Sequence, residues 1–215
     1  MVAGVGIGTL GAGEPREICL KSMSSLVQTL PTARLFTVDE YYRMSDLGIL
    51  SPEERTELID GEVIAMAAQN PPHVTCTQLG FKYLTEQFEG KAFVRMQAPI
   101  CLSKRSMPEP DIAVVHLPEE QYYTRHPKAK EVYLVIEVSD ATLRYDIGRK
   151  AKLYARASIP SYWVIDVVKR EIHAHLLPVN GEYQQITLFQ ESDSLMFPDF
   201  ESLGIQFERF FPPNS

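Results

Sequence analysis

The chain has 215 residues, 45% hydrophobic and 23% charged, the balance of an ordinary soluble globular protein with enough apolar side chains to build a core. Its formal net charge of −7 argues against a broad surface that coats nucleic acid, while leaving room for a local basic cleft. No run approaches the roughly 18 apolar residues that a membrane-spanning helix needs.

Residues 1–33 are small and glycine-rich at their start, with no basic segment ahead of the apolar part. They read as a flexible leader rather than a secretion signal. Residues 34–210 are expected to form a single domain, and 211–215 a loose tail. Val38, Tyr41, Tyr42 and Leu47 have helical spacing, with Thr37 as a cap. "TELIDGEVIAMAA" predicts a hairpin turning at Asp60–Gly61. A helix is expected from Pro71–Pro72 to Gly90, although its apolar positions follow the helical period only in part.

Strands are predicted over 92–102, 111–117 and 131–139. A second long helix follows over 141–158 and ends before Ile159–Pro160. "SYWVIDVVKREIHAHLL" reads as two strands around a turn at Val168–Lys169, and "GEYQQITLFQ" as one more. This order of strands and helices places the fold in the α/β or α+β class with a mixed sheet. Three scattered cysteines, Cys19, Cys76 and Cys101, form no CxxC pair. They suit a reducing cytoplasm and give no zinc signature.

"EVYLVIEVSDAT" raises the first question of chemistry. Val132, Leu134, Ile136 and Val138 are expected on one face, Tyr133 and Val135 on the other, as in a strand buried on both sides. Glu137 lies within it, and burying a carboxylate is costly unless a cation or hydrogen-bond donors meet it. "MPEPDIAVV" places Asp111 at the mouth of the preceding strand. "RYDIGRKAKLYAR" places Lys150 on the following helix. Two carboxylates on neighbouring strands can share one hard cation such as Mg²⁺, and a lysine beside them can orient water or offset charge on a phosphate.

The runs "EPDIAVV", "VYLVIEVSDAT" and "YDIGRKAKLYARASIPSYWVID" together resemble a bacterial family of restriction-endonuclease-like proteins in the PD-(D/E)xK nuclease superfamily. "RTELIDGEVIAM" and "PPHVTCTQL" resemble its N-terminal part, so the likeness covers roughly residues 34–190. It implies a central mixed sheet flanked by helices, with additional antiparallel strands. It also implies a metal-dependent phosphodiesterase acting on DNA. Asp111, Glu137 and the Val138 carbonyl would hold Mg²⁺ or Mn²⁺, and Glu57 would be an extra upstream acid. Ser139 stands where the superfamily's ExK lysine belongs, and the resemblance assigns that role to Lys150. A homodimer is expected by analogy with nucleases that cut both strands. The competing expectation keeps the fold but makes the chain a non-catalytic binding module. A third expectation is a hydrolase of small phosphoesters at the same site.

Each residue also has an ordinary structural role to weigh. Asp111 can cap a turn, Glu137 can pair with a basic side chain, and Glu57 can be an edge-strand surface charge. Asp146 and Lys150, four apart, can be a surface ion pair. Tyr154 reads as core packing. Arg149, Lys152 and Arg156 read as a solvated basic stripe, and His73 as a cap or surface residue. His173 and His175 share a strand face with no third zinc ligand evident, so they read as solvated.

Overall fold

The structure, a computed structural model, describes residues 32–51, 53–197, 199–200 and 203–213. The predicted leader lies outside the described residues, except for Thr32 and Ala33. The first helix, α1 (Val38–Asp46), starts at Thr37, whose hydroxyl accepts from the Glu40 amide while the Glu40 carboxylate accepts from the Thr37 amide. β1 (Thr56–Ile59) and β2 (Glu62–Ala65) form the predicted hairpin. Its turn residues Asp60 and Gly61 both have positive φ, 52° and 82°.

The main sheet has six strands in spatial order β3 (Phe93–Met96), β4 (Ile112–Val115), β5 (Val132–Ser139), β6 (Ser161–Asp166), β7 (Glu171–Val179) and β8 (Glu182–Gln190). All neighbours are antiparallel except β5 and β6, which are parallel. That makes the sheet mixed, as predicted. The parallel pair is joined across one face by a helical crossover, as parallel strands require.

α2 (Pro71–Gln87) covers the other face, packing with Val114, Leu134, Ile136, Trp163 and Ile165. Asn70 caps it and Pro71 opens it, where a missing N–H costs nothing. Its buried stripe is Cys76, Thr77, Gly80, Tyr83 and Leu84, which explains the imperfect apolar period: a polar and a glycine position face the core. A Cβ on Gly80 would stand 2.6 Å from Phe210 Cδ1, so only glycine permits that approach.

Three sequence expectations are corrected. The strand predicted over 92–102 ends at Met96, because Gln97 has φ 46° and breaks the extended path. On β5, Val132 does not share a face with Leu134. The register skips Tyr133 opposite Val114 and Val115, and this bulge turns Val132 to the side of Val135. The helix predicted over 141–158 runs as α3 (Leu143–Tyr145), a π-helical turn (Asp146–Lys150) and α4 (Ala151–Arg156).

The hairpin of β9 (Ser194–Met196) and β10 (Gly204–Gln206) was not legible as strands, being too short to alternate. It leads into a 3-10 turn, Phe207–Phe210, whose rings meet Trp163 edge-on. Phe211, placed in the loose tail by sequence, is buried, and Arg170 lies 4.8 Å over its ring. No helix among the described residues is long and apolar enough to cross a membrane.

Candidate active site

Ile112 faces Ile136 across the β4–β5 pair, so Asp111 and Glu137 follow one position beyond on the same face. Both are buried, at 6% and 4% exposure. The two Asp111 oxygens differ. Oδ2 accepts from the Val138 amide at 2.9 Å and lies 3.2 Å from His73 Nε2. Oδ1 has only a long contact, 3.5 Å from Gln97 Nε2.

The π-helical turn brings Lys150 into the site. Such a turn inserts one residue into the α-helical ladder and is found frequently at functional sites. Here both Asp146 and Lys150 face the sheet and are buried, so they are not the surface ion pair that their spacing also allows. Lys150 Nζ lies 3.0 Å from Glu137 Oε1 and 3.2 Å from Glu57 Oε1. Tyr154, one turn on, donates its hydroxyl to the same Glu137 Oε1 at 2.7 Å. It is more than core packing. Glu57 also accepts from the Glu109 amide through Oε2, which fixes the hairpin carboxylate toward the lysine.

The electrostatics are unbalanced. Burial raises the Glu137 pKa well above the usual carboxylate range; Lys150 opposes this, while Asp111, Asp146 and Glu57 reinforce it. Burial likewise raises Asp146, against Lys150 and a 2.6 Å hydrogen bond from Thr142. For Lys150, burial acts downward, but Glu137, Glu57 and Asp146 outweigh it and hold the amine as an ammonium. One ammonium thus serves several buried carboxylates, and the excess negative charge favours a further cation or proton.

These groups line a cleft of about 380 Å³ that also receives His73, Tyr145 and Asp140. Sequence reasoning assigned His73 to a cap or the surface. The structure places it on Asp111, with its Nδ1 buried and without a hydrogen-bond partner. The signal was present in "NPPH": a capped start puts His73 at the third helical position, where Asn70 accepts its amide at 3.1 Å while also donating to Asp140. The Tyr145 hydroxyl is a second unpartnered group there. Ser139, at the place of the ExK lysine, is buried and 3.3 Å from the Thr142 hydroxyl.

The basic stripe on the crossover has a structural role in part. Arg149 pairs with Glu62 at 2.5 Å and Arg156 with Asp60 at 2.7 Å, clamping the β1–β2 hairpin over the helix. The histidines on β7 are not simply solvated. His175 is buried against the rings of Tyr162 and Tyr183. His173 has the partners that its own neighbourhood in sequence did not suggest as a set. Asp166 and Glu171 bring carboxylate oxygens within 4.8 Å of its ring nitrogen and of each other.

The model of the Uma2 family, described as "Putative restriction endonuclease", matches residues 38–208. No curated protein matches the chain. Five solved chains do. Among them is a "putative nuclease belonging to DUF820" from Anabaena variabilis ATCC 29413, with a TM-score of 0.63 and 15% identity over 82% of this chain and 97% of that one. At that identity the likeness shows the fold alone. The family match spans both strands that carry Asp111 and Glu137, the hairpin of Glu57 and the helix of Lys150. The chain therefore belongs to the Uma2 family of restriction-endonuclease-like proteins.

Proposed function

We propose that the protein is a divalent-metal-dependent endonuclease that hydrolyses DNA phosphodiester bonds. The observation that supports this most is the buried pair Asp111 and Glu137, side by side at the mouth of β4 and on β5, with the Lys150 ammonium 3.0 Å from Glu137 at the edge of an open cleft. The donor set fits Mg²⁺ or Mn²⁺: hard oxygens, more negative charge than one lysine balances, and an Asp111 Oδ1 held only by a 3.5 Å contact. Asp111, Glu137 and the Val138 carbonyl would hold the ion. Continued one pair further, the β4–β5 register sets Pro110 opposite Val138, and a proline has no N–H to offer that carbonyl. Such an ion, when bound, polarises the phosphoryl oxygen and makes a bound water more acidic.

The chain's own residues do the positioning. Tyr154 and Lys150 both hold Glu137 through Oε1, which leaves Oε2 for a cation. His73 and the Val138 amide fix Asp111. Glu57 anchors Lys150, whose ammonium is placed to offset charge developing on the scissile phosphate. Cutting both strands of a duplex calls for two such sites, hence a second copy of the chain.

One observation favours a second reading, a nuclease fold that binds without cutting. Lys150 itself bridges Glu57 and Glu137, supplying a cation of the protein's own, while Ser139 occupies the ExK lysine position. Calorimetric titration of Mn²⁺ and Mg²⁺, with duplex DNA present, separates the two. The nuclease reading expects binding by wild type, loss in Asp111→Ala and Glu137→Ala, and nicking of supercoiled plasmid that follows the same pattern. Silence of wild type in both measurements leaves the binding module.

A further inference from the structure

A second cleft, lined by Arg95, Tyr122, Tyr123, Arg125, His126 and Lys128 among others, contains no carboxylate in its lining. This is unusual in a chain of net charge −7. Arg125 is spoken for by Glu131, which takes two of its N–H groups at 2.7 and 2.8 Å. Arg95 has no such partner among the described residues. Its guanidinium donates to the Pro99 carbonyl at 3.0 Å and lies 5.9 Å from the centre of the Tyr122 ring. Partial burial lowers its pKa, and no carboxylate acts to restore it. A half-buried cation without a counter-charge favours an anionic ligand. Lys128 stands on the same rim, and Tyr123 is 93% exposed beside it. An exposed ring in the lining of a basic cleft offers a surface on which a base can stack.

The position of this cleft relates it to the acidic one. Arg95 pairs with Ala113 across β3 and β4, and Asp111 lies two residues from Ala113 on the same strand and face. The backbones of Arg95 and Asp111 are therefore roughly 8 Å apart.

We propose that this cleft binds a single-stranded segment of the DNA, with a phosphate on Arg95 and Lys128 and an unpaired base on Tyr123. It rests on the nuclease reading for the choice of ligand, but it is measured without cleavage, so the two fail separately. Fluorescence anisotropy of a labelled single-stranded oligonucleotide and a blunt duplex, in the Asp111→Asn background, tests it. The single strand binds more tightly than the duplex. Tyr123→Ala weakens it by roughly 5- to 100-fold. Lys128→Ala lowers the slope of log affinity against log salt by about 0.7, one phosphate's worth on a single strand. Tyr123 and Lys128 lie on the rim, so neither change threatens the core; circular dichroism verifies this. Equal binding by the parent and both variants overturns the proposal, as does preference for the duplex or no binding at all.

Discussion

Two clefts open on one face of the same sheet and carry opposite charge. The first holds Glu57, Asp111, Glu137, Asp140 and Asp146 against a single lysine and a histidine. The second holds two arginines, a lysine and a histidine against no carboxylate. Neighbouring strands supply both, through residues one row apart. The overall charge of −7 averages over this difference and hides it. A phosphodiester with its divalent ion needs both signs within a nucleotide's length, and the two clefts supply them from neighbouring strands.

The strongest way to break the contrast is to remove the acidic cleft's own cation. In Lys150→Met, Glu57, Glu137 and Asp146 lose the charge that holds them together. Removing one partner of a buried pair costs about 3–5 kcal/mol. At about 2–4 °C per kcal/mol for a chain of this size, Tm falls by roughly 10 °C. Millimolar Mn²⁺ recovers part of the loss, because a divalent ion replaces the ammonium. Differential scanning fluorimetry with and without Mn²⁺ measures both. A fall of under about 3 °C would mean that the carboxylates are already neutral and that the cleft carries no excess charge.

Tyr154→Phe sharpens the contrast at smaller cost. Glu137 keeps Lys150 but loses the 2.7 Å phenolic hydrogen bond. Hydrogen bonds to charged groups contribute about 1.5–3 kcal/mol, and loss of a group that orients a ligand weakens metal binding by roughly 10- to 100-fold. Single-strand affinity in the Asp111→Asn background stays unchanged if the clefts are separate. A parallel drop in oligonucleotide binding would show that the two are one site.

The sequence made the acidic cleft legible and the basic one not, for a physical reason. Asp111, Glu137 and Lys150 lie within 40 residues at the mouth of a strand, on the next strand and on the crossover helix, so period and turn signals place the three elements in order, and the family resemblance turns Lys150 and Glu57 toward the site. Glu57 arrives through a hairpin marked by Asp60–Gly61. Arg95 comes from an edge strand, while Tyr123 and Lys128 come from the irregular segment between β4 and β5, which no periodicity orients. The capped start in "NPPH" sets His73 in the first turn of α2, but that this turn meets Asp111 is a tertiary fact with no local trace. The π turn at Asp146–Lys150 likewise has no composition of its own, and without it a regular helix would aim those two side chains differently. The bulge at Tyr133 is visible only once β4 is paired.

The smallest effect concerns the wall of the basic cleft. A bidentate hydrogen bond from Arg125 depresses the Glu131 pKa to about 2, with the Lys128 amide assisting. The folded pKa lies below the ordinary value of 4.5, so this contribution is complete above that value and is lost as pH falls toward about 2. Both side chains are partly exposed, 35% and 14%, so solvent screens the pair and the stability at stake is small. In Glu131→Gln the neutral amide cannot supply that limb. The gap in urea midpoint between wild type and variant is therefore widest near pH 6 and closes progressively from about pH 4.5 down to about 2. The same substitution releases Arg125 from its counter-charge. If the cleft reads a phosphate backbone, single-strand binding tightens and its salt slope steepens by about 0.7. If Arg125 only props up Tyr122, whose ring it covers at 5.3 Å, the acid limb disappears while the salt slope stays where it was.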